Sequence, residues 1–110
     1  MGLPAVREVV LVPFPYSDLS HSKVRPAVCL TDAQRGDWLV CQITSSPYGD
    51  PTAVSISAAD FESGGLRIHS FARPLKLFAV HYSTFIKTIG KVNDRTFQSI
   101  VDRIIHSLRP

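Results

Sequence analysis

Between Glu62 and Asp94 the chain has no acidic residue, although Arg67, Arg73, Lys76, Lys87 and Lys91 all fall in that stretch. Charge of one sign gathered on a few neighbouring elements attracts polyanions, of which nucleic acid is the commonest in a cytoplasm. Residues 1–62 carry four basic and seven acidic side chains, so the net charge of +3 conceals a polarised sequence. Cysteine is also scarce. Cys29 and Cys41 each sit inside an apolar run and read as buried thiols, not as a bridge or a metal pair. The longest apolar runs, such as "VVLVPF" at 9–14, are too short to span a bilayer. "MGLPAVREVV" has neither the basic start nor the long apolar stretch of a secretory leader, so a cytoplasmic protein is expected. His21, His69, His81 and His106 lack metal-ligand spacing, and no metal or cofactor is expected. "DFESGGL" at 60–66 lacks the lysine and hydroxyl of a phosphate loop and reads as a helical turn ended by Gly64 and Gly65.

What is present fits one small domain over residues 1–110: 45% hydrophobic and 19% charged residues, with no repeat and no linker-like tract. Strands dominate. "AVREVVLVPF" is Val-rich and stops at Pro13, and "RPAVCLT" and "DWLVCQIT" form a hairpin through "DAQRGD". "TAVSIS" alternates polar with apolar, and "SFAR", "LKLFAV" and "FIKTIGKV" add short segments around Pro74 and Gly90. The fold class is mainly β, a small barrel of about six or seven strands. From Asn93, an apt N-cap, Phe97, Ile100, Val101, Ile104, Ile105 and Leu108 fall on one helical stripe, so an amphipathic C-terminal helix is expected to cover an end or edge of the barrel. "PFPYSDLSHSK" between the first two strands is a connection of about ten residues, longer than usual, and a functional loop is expected there.

The candidate site follows from Arg25 and Pro26. Proline lacks an N–H and suits the first residue of a strand, and the residue before it is held extended, so Arg25 projects from the barrel rim at a fixed place. The third strand ends in "QITSS". In an antiparallel hairpin its Thr44, Ser45 and Ser46 come back beside Arg25. A guanidinium fork with neighbouring hydroxyls grips a phosphodiester through bidentate charge-assisted hydrogen bonds. Lys23, Arg73 and Lys76 are further candidate contacts to an RNA backbone, and Trp38 or Tyr48 can stack on a base, although Trp38 reads foremost as core. A peptide-binding adaptor would need clustered surface aromatics, which one Trp and three scattered Tyr do not supply.

The segments "VVLVPFPYSDLSHSKVRPAVCL", "WLVCQITSS", "DFESGGL" with "SFARPLKLF", and "IGKVNDRTFQSIVDRI" together resemble the PemK/MazF toxins of bacterial type II toxin–antitoxin systems, over nearly the whole chain and in order. The resemblance implies an SH3-like barrel with a C-terminal helix, a homodimer, and metal-independent cleavage of single-stranded RNA to a 2′,3′-cyclic phosphate and a 5′-hydroxyl. It also implies a cognate antitoxin protein as inhibitor, expected to carry an acidic tail. It makes Arg25 and Thr44 the catalytic pair. Two positions depart from the family pattern. The usual "GD" before the first strand reads Arg7 and Glu8, and the carboxylate that some members place after "GGL" is replaced in "SFARPLKL" by Arg73. A general acid or base would then come from His21 or His69, imidazole being the side chain that titrates near neutrality, or the protein binds nucleic acid with weak or no turnover.

Overall fold

The computed structural model describes residues 2–15 and 21–109. Its centre is built from β1 (Glu8–Pro15), β2 (Ser22–Gln34) and β3 (Asp37–Thr44), whose middle stretches "VVLV", "AVCL" and "WLVC" are continuously apolar because the strands are covered on both faces there. Val9, Val28, Cys41 and Ile43 point into one core, and their neighbours Val10, Ala27, Cys29 and Val40 point into the other. Four further strands, β4 (Val54–Ile56), β5 (Phe61–Gly64), β6 (Ser70–His81) and β7 (Lys87–Val92), extend the sheet to the order β4-β6-β3-β2-β1-β7-β5. Every ladder is antiparallel, and the sheet curls into a half-barrel.

α1 (Asp94–Leu108) closes the first core, with Phe97, Ile100 and Ile104 buried against the sheet. The Asn93 Oδ1 accepts a hydrogen bond from the Thr96 N–H at 2.8 Å, the expected cap, and the Thr96 hydroxyl donates to Asp60 at 2.7 Å. Two residues of the expected stripe stay outside: Ile105 is 47% exposed and Leu108 62%. Ile105 lies about 100° around the helix from Ile104, at the stripe's edge, and Leu108 is the last helical residue. The second core holds Val12, Phe14, Trp38 and Phe85, which gives Trp38 the packing role expected of it. Both cysteines are buried, and burial pushes each thiol up to about 12, far from reactivity at neutral pH. No helix of the described residues is long and apolar enough to cross a membrane.

Several segment boundaries differ from the sequence expectation. β1 runs past Pro13 to Pro15 and β2 opens at Ser22 instead of at Arg25, so both strands take residues from the expected long connection, and β7 starts at Lys87. "SFAR" and "LKLFAV" form one strand that runs through buried Pro74, because β6 is irregular there: its pairing with β3 passes from Cys41↔Leu77 to Ile43↔Ala72. A bulge is where a strand tolerates a residue with no N–H. The helical turn expected in "DFESGGL" sits earlier, as a 3₁₀ turn at Ala58–Asp60, and the motif itself contributes β5. Gly64, at φ 64°, pairs with Gly90, and a Cβ on Gly64 would collide with the Ile89 carbonyl. The glycines therefore permit close approach of β5 and β7, not helix termination. The expected long loop falls between Pro15 and Ser22, where residues 16–20 lie outside the described part.

Candidate active site

A sheet opens where two adjacent strands stop sharing hydrogen bonds. The β2–β3 ladder runs down to Ala27↔Gln42 and ends at Pro26, which has no N–H to donate. Neither strand ends there. β2 continues paired with β1 through Leu11↔Pro26 and Val12↔Arg25 as far as Ser22, while β3 continues paired with β6 to Thr44↔Phe71. The two strands diverge as a wedge. Arg25 and Thr44 each lie two residues past the last pair, on the two sides of this opening, and both line it.

The wedge is the mouth of a cleft of about 650 Å³. Arg25, Thr44 and Ser45 line it together with Arg67, Ser70 and Lys87, over an apolar floor that includes Leu11, Ile43, Leu66 and Ile89. Thr44 is only 2% exposed, and its hydroxyl is committed locally: it donates to the Ser46 carbonyl at 3.0 Å and accepts from the Ser46 N–H at 3.1 Å. Buried Ser70, on β6 next to Phe71, the cross-strand partner of Thr44, is committed in the same way, donating to the Ile68 carbonyl at 3.0 Å. Each hydroxyl thus pins the turn beside it, and Ser45 is left as the exposed hydroxyl at the β3 lip.

The basic residues divide by environment. Arg73 does not reach the cleft: its Nε donates to Asp50 Oδ2 at 3.2 Å, with the two side chains 20% and 13% exposed. The Thr52 hydroxyl, at 2.6 Å, and then the Arg73 guanidinium hold the Asp50 carboxyl below the usual carboxylate range. Arg7 and Lys91 share Glu62, at 3.0 and 3.9 Å, and the Arg7 hydrogen bond is the first cause of a lowered Glu62 carboxyl. Arg7 also has φ 78°, the left-handed region in which glycine is at ease. Its guanidinium donates to the Val92 carbonyl at 3.1 Å, and the Val92 N–H donates to the Arg7 carbonyl at 3.0 Å. By contrast, among the described residues no carboxylate lies within ion-pair distance of Arg25, Arg67 or Lys87, and none lines the cleft.

The remaining expected site residues lie outside the lining. Lys23 and Lys76 are exposed, on β2 and β6, and Ser46 holds Thr44 from the exposed turn. His69 bonds the Ser55 hydroxyl through Nε2 at 2.5 Å and lies against Phe71 with ring centroids 5.1 Å apart, away from the cleft between Ile68 and Ser70. His21 is exposed immediately before β2. Tyr48 is 72% exposed in the turn after β3. Sequence reasoning passed over Arg67, Ser70 and Lys87 as site residues. The acid-free stretch flagged the two cations but not their convergence, which depends on the loop between β5 and β6 and on the Leu11↔Lys87 register.

The model of the PemK-like, MazF-like toxin of type II toxin–antitoxin systems matches residues 5–108. No curated protein matches the chain by sequence. Among solved structures, the chain is similar to MazF from Deinococcus radiodurans, with TM-score 0.78, 17% identity and 98% of each chain covered. It is also similar to the Mycobacterium tuberculosis toxin MazF-mt6, with TM-score 0.72 and 19% identity over 93% of this chain and 96% of that one. A third likeness is to an endoribonuclease solved with its cognate antitoxin from a mycobacterial species, with TM-score 0.73 and 14% identity over 98% and 95%. At these identities the structures establish the fold, and the match over residues 5–108 establishes the kinship: the chain belongs to the family of PemK-like, MazF-like toxins of type II toxin–antitoxin systems.

Proposed function

We propose that the protein is an endoribonuclease that cuts single-stranded RNA without a metal, at the cleft between Arg25 and Ser45. The observation that carries this reading is the end of the β2–β3 ladder at Ala27↔Gln42, past which Arg25 and the end of β3 line one space. In the reaction the ribose 2′-oxygen attacks the adjacent phosphorus and loses its proton. The bond to the 5′-oxygen breaks, that oxygen takes up a proton, and a 2′,3′-cyclic phosphate and a 5′-hydroxyl remain. Arg25 stabilises the charge that grows on the nonbridging oxygens, a preorganised interaction that strengthens toward the transition state. Thr44 fixes the turn that presents Ser45, whose hydroxyl donates to the same phosphate. The aliphatic floor receives an unstacked base, which only a single strand can offer.

His21, ahead of β2 but outside the cleft lining, is the first candidate to exchange the proton, and His69, engaged by Ser55, is the weaker one. An antitoxin with an acidic tail would compete with RNA for the cleft cations Arg25, Arg67 and Lys87. The working unit is proposed to be a cytoplasmic homodimer.

The test is cleavage of mixed-sequence single-stranded RNA in the presence of EDTA, by wild type and by Arg25→Ala. Wild-type fragments with free 5′-hydroxyls, and a loss of about 10²-fold or more in Arg25→Ala, are expected. Equal rates would refute the assignment. One observation favours a second reading, an RNA-binding member without turnover: among the described residues, the cleft lining contains neither carboxylate nor imidazole. Tight RNA binding by wild type with no fragments would select it.

A further inference from the structure

The cleft holds more positive charge than one phosphate needs. Arg25 enters from β2, Lys87 from the start of β7, and Arg67 from the loop between β5 and β6. Lys87 pairs with Leu11, and Leu11 pairs with Pro26 on its other side, so the lysine and the strand carrying Arg25 stand two strands apart. Two interstrand spacings place those backbones about 10 Å from each other, wider than a single phosphodiester group. Arg67 sits on the loop that follows β5. The Gly65 N–H donates to the Ile89 carbonyl at 3.2 Å, and the Gly64–Gly90 contact presses β5 onto β7, so the loop that carries Arg67 is braced against the strand that carries Lys87. Leu66, Ile68 and Ile89 fill the space between the cations with apolar surface.

Charged groups separated by aliphatic surface match a backbone that alternates phosphate with base. We infer that Arg67 and Lys87 bind phosphates flanking the one held by Arg25, so that the substrate is an extended single strand gripped at three successive or near-successive phosphates. This rests on the cleft being the RNA site. Neither side chain takes part in the proton transfers. Each positions the strand so that the scissile phosphate settles on Arg25.

Each bound phosphate releases counterions, so every lost contact makes the dependence of log affinity on log salt shallower by about 0.7 for a single strand. Binding of mixed-sequence single-stranded RNA is measured by fluorescence anisotropy from about 50 to 200 mM NaCl, in an Arg25→Ala background that keeps the RNA intact. Adding Arg67→Gln or Lys87→Gln should flatten the slope by about 0.7 each, and both together by about 1.4. Arg67→Lys and Lys87→Arg should restore it, which separates lost charge from lost folding. Arg95→Gln, on exposed α1 and outside the cleft, serves as the control. Slopes for the cleft variants equal to that of Arg95→Gln would overturn the inference. The two readings fail separately: a slope change in a protein whose wild type cuts no RNA keeps the phosphate track and refutes the nuclease, whereas cleavage with unchanged slopes does the reverse.

Discussion

Arg73 and Arg25 are both half-buried arginines on the same curled sheet, and the fold uses them in opposite ways. Arg73 is neutralised by Asp50, which is itself held by Thr52, and the trio ties β6 to the loop after β3. Arg7 and Lys91 are likewise set on Glu62, across the strands β1, β5 and β7. Arg25, Arg67 and Lys87 line a cleft to which, among the described residues, no carboxylate contributes. Internal pairing distinguishes cations that hold the barrel from cations that remain available to a ligand. A basic segment read along the chain mixes the two kinds, since Arg73 and Lys91 belong to the first and Arg67 and Lys87 to the second.

Substitutions can break this division, and the largest effect is expected at Arg25. Arg25→Ala should lower RNA cleavage by about 10²- to 10³-fold, equivalent to about 2.7–4 kcal/mol of transition-state stabilisation, with little change in the thermal midpoint. Arg73→Ala should show the converse. Loss of a largely buried charged hydrogen bond should cost about 2 kcal/mol in denaturant unfolding, while cleavage per folded molecule is retained. A Arg73→Ala protein with native stability and impaired cutting would place that arginine with the cleft set.

Arg7 sharpens the comparison, because its ion pair and its backbone pull in different directions. Arg7→Ala loses the bonds to Glu62 and Val92 and keeps the left-handed backbone, whereas Arg7→Gly loses the same bonds and relieves the strain. The glycine variant should be the more stable of the two by about 1 kcal/mol in urea unfolding. The smallest effect is expected in acid. The folded Asp50 carboxyl titrates below its ordinary value, so its contribution to stability is present above that value and drains away as pH falls through the lowered one. Asp50→Asn should therefore flatten the dependence of the unfolding midpoint on pH below about 4, and an unaltered dependence would remove Asp50 from the structural set.

Much of the frame was legible in the residues. Apolar alternation and punctuation located the strands, and Asn93 with the Phe97–Ile104 stripe located the helix, because burial periodicity is a local signal. Arg25 beside Thr44 was legible through one hairpin and one proline. Features that depend on partners far along the chain were not. Nothing around Arg73 announces Asp50, 23 residues away, and nothing around Lys87 announces Leu11, its neighbour in the sheet. Gly64 and Gly65 carried a misleading local signal, since the close approach that selects Gly64 is made by β7. The hydroxyl of Thr44 was readable as a residue type, but its commitment to Ser46 is set by the turn that follows.

The divergence of β2 from β3 at Pro26 makes the two lips of the cleft parts of separate hinged leaves, one anchored through β1 and the other through β6. No main-chain bond of the β2–β3 ladder spans the gap at Arg25 and Ser45, so whatever occupies it must itself act as the missing rung. A ligand that bridges Arg25 and Ser45 would join the two strands where their own ladder does not.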